Sequence, residues 1–125
     1  MSTYLRLLPL LLAFGALAGC HSQSPLTREA LVGNYKYVSE DPATKASDHD
    51  LDRLVLSADG TYDLMEGGAT RPVSEKRGFW RIQLGTPSDH TDVVLDSAGF
   101  PVEISKNEIR LVVDQDTGVW WLKTN

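Results

Sequence analysis

Short runs of alternating apolar and polar residues recur about every ten positions from residue 33 to the end of the chain, a spacing that predicts a small all-β domain. Gly33-Asn34-Tyr35-Lys36-Tyr37-Val38 alternates polar and aromatic side chains, as a half-buried strand does. Leu54 and Leu56 are offset by two, as are Tyr62 and Leu64, and Ala58-Asp59-Gly60 between them is a tight hairpin signal. Further strands are predicted around Gly78–Ile82, Val93–Leu95, Val102–Ile104, Ile109–Val113 and Val119–Leu122. Ser97-Ala98-Gly99, Lys106-Asn107-Glu108 and Asp114-Gln115-Asp116-Thr117-Gly118 have the composition of turns. The glycines after Cys20 are expected in turns or at strand edges, and Pro42, Pro72, Pro87 and Pro101 away from strand centres. Pro25 to Leu31 reads as one helical turn, with Ser24 as its cap.

Eight such strands make an eight-stranded up-and-down β-barrel, with a β-sandwich as the alternative. Short successive connections favour the meander, and closure removes edges that a small sheet cannot otherwise protect. In a meander the connections alternate ends. Those after strands one, three, five and seven lie distal to the amino terminus; those after strands two, four and six lie at the end where the chain enters. The two longest, 39–51 and 66–77, therefore fall together on the distal end, and their length suits a recognition loop.

Residues 1–19 form a separate unit. Arg6 is followed by an uncharged, largely apolar run from Leu7 to Gly19, too short for the roughly 20 residues of a membrane-spanning helix and suited to a signal peptide. The run ends Leu17-Ala18-Gly19-Cys20, and Cys20 is the only cysteine in the chain. This resembles the lipobox of bacterial lipoproteins. The resemblance implies a thioether-linked lipid on Cys20, cleavage before it, and acylation with a fatty acid such as palmitate. His21, where an aspartate would imply inner-membrane retention, is compatible with the outer membrane, facing the periplasm of a Gram-negative cell envelope. Residues 20–25 form a short polar tether reaching about 20 Å when extended, and residues 26–125 form a single domain.

The helical turn, Gly33-Asn34-Tyr35 on the first strand and Lys123 near the end of an aromatic last strand together resemble the lipocalin-like group. That group carries Gly-x-Trp on its first strand, beneath a basic residue from the last. Here Tyr35 and Lys123 stand at those positions, in a shorter chain. The resemblance implies a barrel able to hold a small apolar ligand, with Tyr35, Tyr37, Tyr62 and Trp80 as its candidate lining.

Composition narrows the function classes. Of 12 Lys and Arg, Arg6 lies in the leader, so the mature chain has 11 against 17 Asp and Glu. Such an acidic domain is poorly suited to nucleic acid. A single cysteine excludes an intrachain disulfide and a multi-cysteine zinc site. Asp48-His49-Asp50-Leu51-Asp52 is the densest polar cluster, and Asp59 lies eleven positions after Asp48, but Arg53 occupies the place where an EF-hand loop needs glycine. The sequence therefore reads as a solvated acidic loop, with a calcium site of another kind as the alternative. His90 is expected at the opposite end of the barrel from His49, so no metal site is assigned.

No nucleophile elbow, His-Glu-x-x-His or phosphate loop is present, and no catalytic residue or cofactor is assigned. Trp120 and Trp121 must face opposite sides of their strand, one inward and one outward. The expectation is a lipid-anchored, non-enzymatic envelope protein. It recognises a protein partner through loops 39–51 and 66–77, with Asp48, His49, Asp50, Arg71, Lys76 and Arg77 as candidate contacts. Glu40, Asp41, Asp48 and Asp50 would face the basic residues across the rim. The alternative is a lipocalin-like carrier of a small apolar ligand.

Overall fold

A computed structural model describes residues 26–84 and 90–125. The leader, Cys20, the tether, Ser24 and Pro87 lie outside the described residues. Eight antiparallel strands run in sequence order and close into an up-and-down barrel, consistent with a lipocalin-like barrel: β1 Gly33–Ser39, β2 Arg53–Leu56, β3 Thr61–Glu66, β4 Ser74–Leu84, β5 Thr91–Leu95, β6 Ala98–Ser105, β7 Glu108–Asp114 and β8 Val119–Lys123. The last strand pairs with the first from Tyr35–Lys123 to Ser39–Val119. Before β1, a helical turn α1 at Arg28–Leu31 is capped by Thr27, whose hydroxyl accepts the Ala30 amide at 3.2 Å. The sequence started this turn three residues earlier, with the same last residue. Thr27 is the effective cap because its extended backbone lets its side chain reach the turn's free amides.

Alternation sets the core. Tyr35, Leu54, Leu56, Tyr62, Trp80, Val93, Leu111 and Trp121 turn inward, and Leu31 of α1 packs against them from the entry end. Burial of each aliphatic side chain contributes on the order of 1.5–3 kcal/mol. Tyr35 and Lys123 are directly opposite on β1 and β8. The Tyr35 hydroxyl donates to the Leu31 carbonyl at 2.6 Å and the Lys123 ammonium to the Ala30 carbonyl at 2.8 Å, so both strands fasten α1 over this end of the barrel. Arg28 of α1 lies 4.3 Å over the Trp80 ring. Trp121 is the inward member of its pair. Trp120 faces out but is only 9% exposed, because the Arg110 guanidinium lies 4.5 Å over its ring.

Two strands change partners along their length. β4 pairs with β3 through Ser74–Phe79 and with β5 through Trp80–Leu84. β6 pairs with β5 through Ala98–Pro101 and with β7 from Val102 onward. This stagger overturns three sequence expectations. The connection after β5 is drawn down beside Phe79, whose carbonyl accepts the Asp96 amide at 2.9 Å, and does not share the distal rim. Pro101 lies inside β6, at the handover between partners, where the N–H it lacks is most easily spared. Gly78 and Gly99 also lie inside strands. At Gly78 the Asp96 carboxylate crosses the strand, and a Cβ there would stand 2.4 Å from Oδ2.

β4 begins at Ser74, so the second distal connection is shorter than the sequence suggested. Residues 74–78 rise past the β5–β6 turn with no ladder partner on that side among the described residues. Closure therefore leaves a short edge along residues 74–78. Consecutive charges at Glu75, Lys76 and Arg77 blunt it, as charged edge strands commonly are.

A candidate recognition rim at the distal mouth

The connections β1–β2 and β3–β4 lean on one another across the distal mouth. The Leu51 amide donates to the Gly67 carbonyl at 3.0 Å, and the Ala69 amide to the Ser47 carbonyl at 2.8 Å. Gly68 permits this approach: a Cβ at that position would meet the Ser47 carbonyl oxygen at 2.0 Å. A turn of 3₁₀ helix at Ala46–Asp48 delivers His49 and Asp50 to the rim.

Asp52 organises the arrangement. Its side chain is 2% exposed, which corrects the solvated-loop reading at this residue, while Asp50 and Leu51 are exposed. The reason is parity: Asp52 precedes Leu54 and Leu56 at strand spacing and turns inward with them. Oδ1 accepts the Gly67 amide at 2.7 Å, and Oδ2 lies 2.7 Å from His49 Nδ1. Arg71 Nη1 is also 3.1 Å from that nitrogen. One ring nitrogen cannot donate and accept at once. The Asp52 oxygen is nearer, so the ring directs Nδ1–H toward Asp52. The Arg71 guanidinium is held instead by Glu66 at 2.9 Å. The His49 ring stacks on Tyr37 with centroids 4.1 Å apart, and Tyr37 meets Trp121 edge-on at 5.7 Å. Burial raises the pKa of the Tyr37 hydroxyl, and the Asp52 and Asp41 charges add to this, while a hydrogen bond to Ser39 and the Arg71 charge oppose it.

The mouth thus carries a rigid aromatic–imidazole pair above a buried carboxylate. Beside it is a cleft of about 300 Å³ lined by Lys36, Tyr37, Ser39, Thr44, His49 and Arg53.

Of the residues expected to contact a partner, the structure brings His49 and Arg71 together. Asp48 lies in the 3₁₀ turn and Asp50 is exposed beside it. Lys76 and Arg77 belong to β4. Arg77 is spent on the outer wall, 2.8 Å from Glu75 and 3.4 Å from Asp63, in exposed pairs of small energetic weight. The expected opposition of acidic and basic loops is not the observed pairing: Arg71 takes Glu66, from the end of the strand preceding its own connection.

The residues expected to line a ligand site divide differently. Tyr35, Tyr62 and Trp80 are 0%, 2% and 3% exposed, and each polar end has a protein partner. Tyr35 donates to the Leu31 carbonyl, Tyr62 to Asp96 Oδ2 at 2.7 Å, and Trp80 Nε1 to the Ser57 carbonyl at 2.8 Å. Tyr37 alone reaches the mouth. Burial raises the Tyr35 hydroxyl, and burial together with the Asp96 hydrogen bond pushes Tyr62 up to about 12.

Asp52, Glu66 and the Gly67-Gly68 pair are the rim residues that sequence reasoning missed. The inward parity of Asp52 with Leu54 was the available signal. Among the described residues no group of three His, Cys, Asp or Glu side chains is arranged to hold a metal ion. No known protein family, no characterised protein and no solved structure matches this chain.

Proposed function

We propose that this chain is a lipid-anchored, non-enzymatic protein of the bacterial envelope that recognises a protein partner through its distal β1–β2 and β3–β4 connections, which lie within segments 39–51 and 66–77. In a Gram-negative cell it would sit on the outer membrane facing the periplasm. The carrying observation is the Asp52 bracket, which ties the two connections together before any partner arrives. A preorganised rim loses little conformational freedom on binding. It also presents an aromatic, an imidazole and an arginine, groups suited to the centre of a protein contact. Packing of Tyr35, Tyr62 and Trp80 into the core directs recognition to the mouth rather than the interior. The second reading, a small-ligand carrier, draws on the cleft beside Tyr37 and His49.

The test places a photo-crosslinking amino acid at Asp50 on the rim and, separately, at Asn107 in the turn at the opposite end. The expected result in intact cells is one discrete protein adduct from position 50 and none from 107. Equal labelling from both ends overturns the rim assignment. A small molecule retained by the purified protein in native mass spectrometry, with no adduct at 50, moves the function to the second reading.

A further inference from the structure

The end of the barrel opposite the rim carries its own apolar feature. Leu84, the last residue of β4, is 77% exposed, and Ile104, one residue from the end of β6, is 58% exposed. Each continues the inward series of its strand, Leu84 after Trp80 and Ile82, Ile104 after Phe100 and Val102, past the point where the core fills. Both strands run toward the end at which the chain enters the domain, since β4 and β6 are antiparallel to β1. The β6–β7 turn is there too. Lys106 and Asn107 both have positive φ, 49° and 68°, the backbone of a type I′ turn. Lys106 therefore sits two positions beyond Ile104, on the outermost residues of that end.

Five residues separate Cys20 from Leu26, and Leu26 is already packed against the core at this same end. If Cys20 holds the lipid, the entry end lies within about 20 Å of the bilayer by chain length alone. We propose that this end is a membrane seat: Leu84 and Ile104 enter the interfacial layer, and Lys106 meets anionic headgroups. Exposed aliphatic tips beside a lysine that can extend its ammonium to headgroup level suit a lipid interface. The seat fixes the barrel upright, with the distal rim pointing away from the membrane. The inference rests on the lipid-anchor reading of Cys20.

The experiment uses the full lipidated chain reconstituted in vesicles of phosphatidylethanolamine and phosphatidylglycerol. Cys20 is the only native cysteine, so Leu84→Cys, Ile104→Cys and the distal Val73→Cys each introduce a unique free thiol for an environment-sensitive dye. Intact mass reports separately whether Cys20 carries its lipid. The expected result is a blue-shifted dye, quenched at least severalfold by lipid-borne quenchers, at 84 and 104 but not at 73. A lipidated chain whose three dyes are equally water-exposed overturns the seat and leaves the anchor standing. A mass without lipid overturns the anchor, and the seat with it. Because all three positions are exposed, the substitutions leave the core intact.

Discussion

Asp52 Oδ1 accepts the Gly67 amide at 2.7 Å, so a carboxylate just before β2 holds the backbone just after β3. The bond is buried and short, and the donor has no ladder partner to replace it. Removing the carboxylate leaves a buried N–H unsatisfied and frees His49 from its orienting partner.

Asp52→Ala should therefore cost about 1–3 kcal/mol, read as a lower urea midpoint, and should loosen both distal connections in hydrogen exchange. Asp52→Asn makes a finer distinction. It keeps an oxygen for Gly67 but can present its amide to His49, so the imidazole must accept at Nδ1 and carry its proton on Nε2. Nitrogen NMR shifts of the His49 ring should report that exchange of tautomers. A proton on Nε2 in both the parent protein and the variant would show that Arg71, donating to Nδ1, and not Asp52, sets the ring.

How far such a site is legible depends on which interactions are local. The eight strands follow from alternation and turn chemistry within single segments, and all eight form. Asp52 is harder to read because its burial comes from a partner fifteen residues away, and an acidic run looks solvated when each residue is taken alone. Its parity with Leu54 and Leu56 carries the information, outweighed by the charge of its neighbours. The stagger of β4 against β5 was hidden for a different reason. Register between strands is set by side chains such as Asp96 across Gly78, a contact between positions that no local pattern connects.

The Tyr62–Asp96 pair should shape stability at both ends of the pH scale. The Tyr62 hydroxyl at 2.7 Å and the Phe79 amide at 3.2 Å hold the Asp96 carboxyl below the usual carboxylate range. That contribution is fully present above the ordinary range and is lost as pH falls through the lowered folded value. Tyr62 titrates at about 12 in the folded chain against 10.0 for a free phenol, so its contribution is intact below pH 10 and declines as pH rises toward 12. Tyr35, raised by burial, adds to the alkaline slope. Melting temperature against pH should fall at both extremes, and Tyr62→Phe should flatten the acid limb and part of the alkaline one. Unchanged limbs would mean the pair contributes nothing.

Cys20→Ser tests the anchor. It removes the only thiol, so incorporation of labelled palmitate should vanish and the protein should move from the membrane to the soluble fraction. The fold should not change, because among the described residues the core is built from Leu31 onward, with Leu26 packed against it. Continued membrane association with an intact leader would replace the lipid reading with a different mode of attachment.

Gly78 offers the sharpest test of the stagger. A Cβ there meets Asp96 Oδ2 at 2.4 Å and Oδ1 at 2.6 Å, and the same carboxylate is bonded to Tyr62 and to the Phe79 amide, so it cannot swing aside freely. Gly78→Ala should cost about 1–3 kcal/mol, the usual range for forcing extra volume into a packed contact. In Asp96→Ala the obstructing carboxylate is gone, and adding Gly78→Ala to that background should be nearly neutral or slightly stabilising, since alanine suits a strand better than glycine. The double-mutant cycle should therefore show a coupling of at least about 1 kcal/mol between two residues eighteen positions apart. Additive effects would mean that the β5–β6 turn does not lie against β4, and the register that sets it below the distal rim would be wrong.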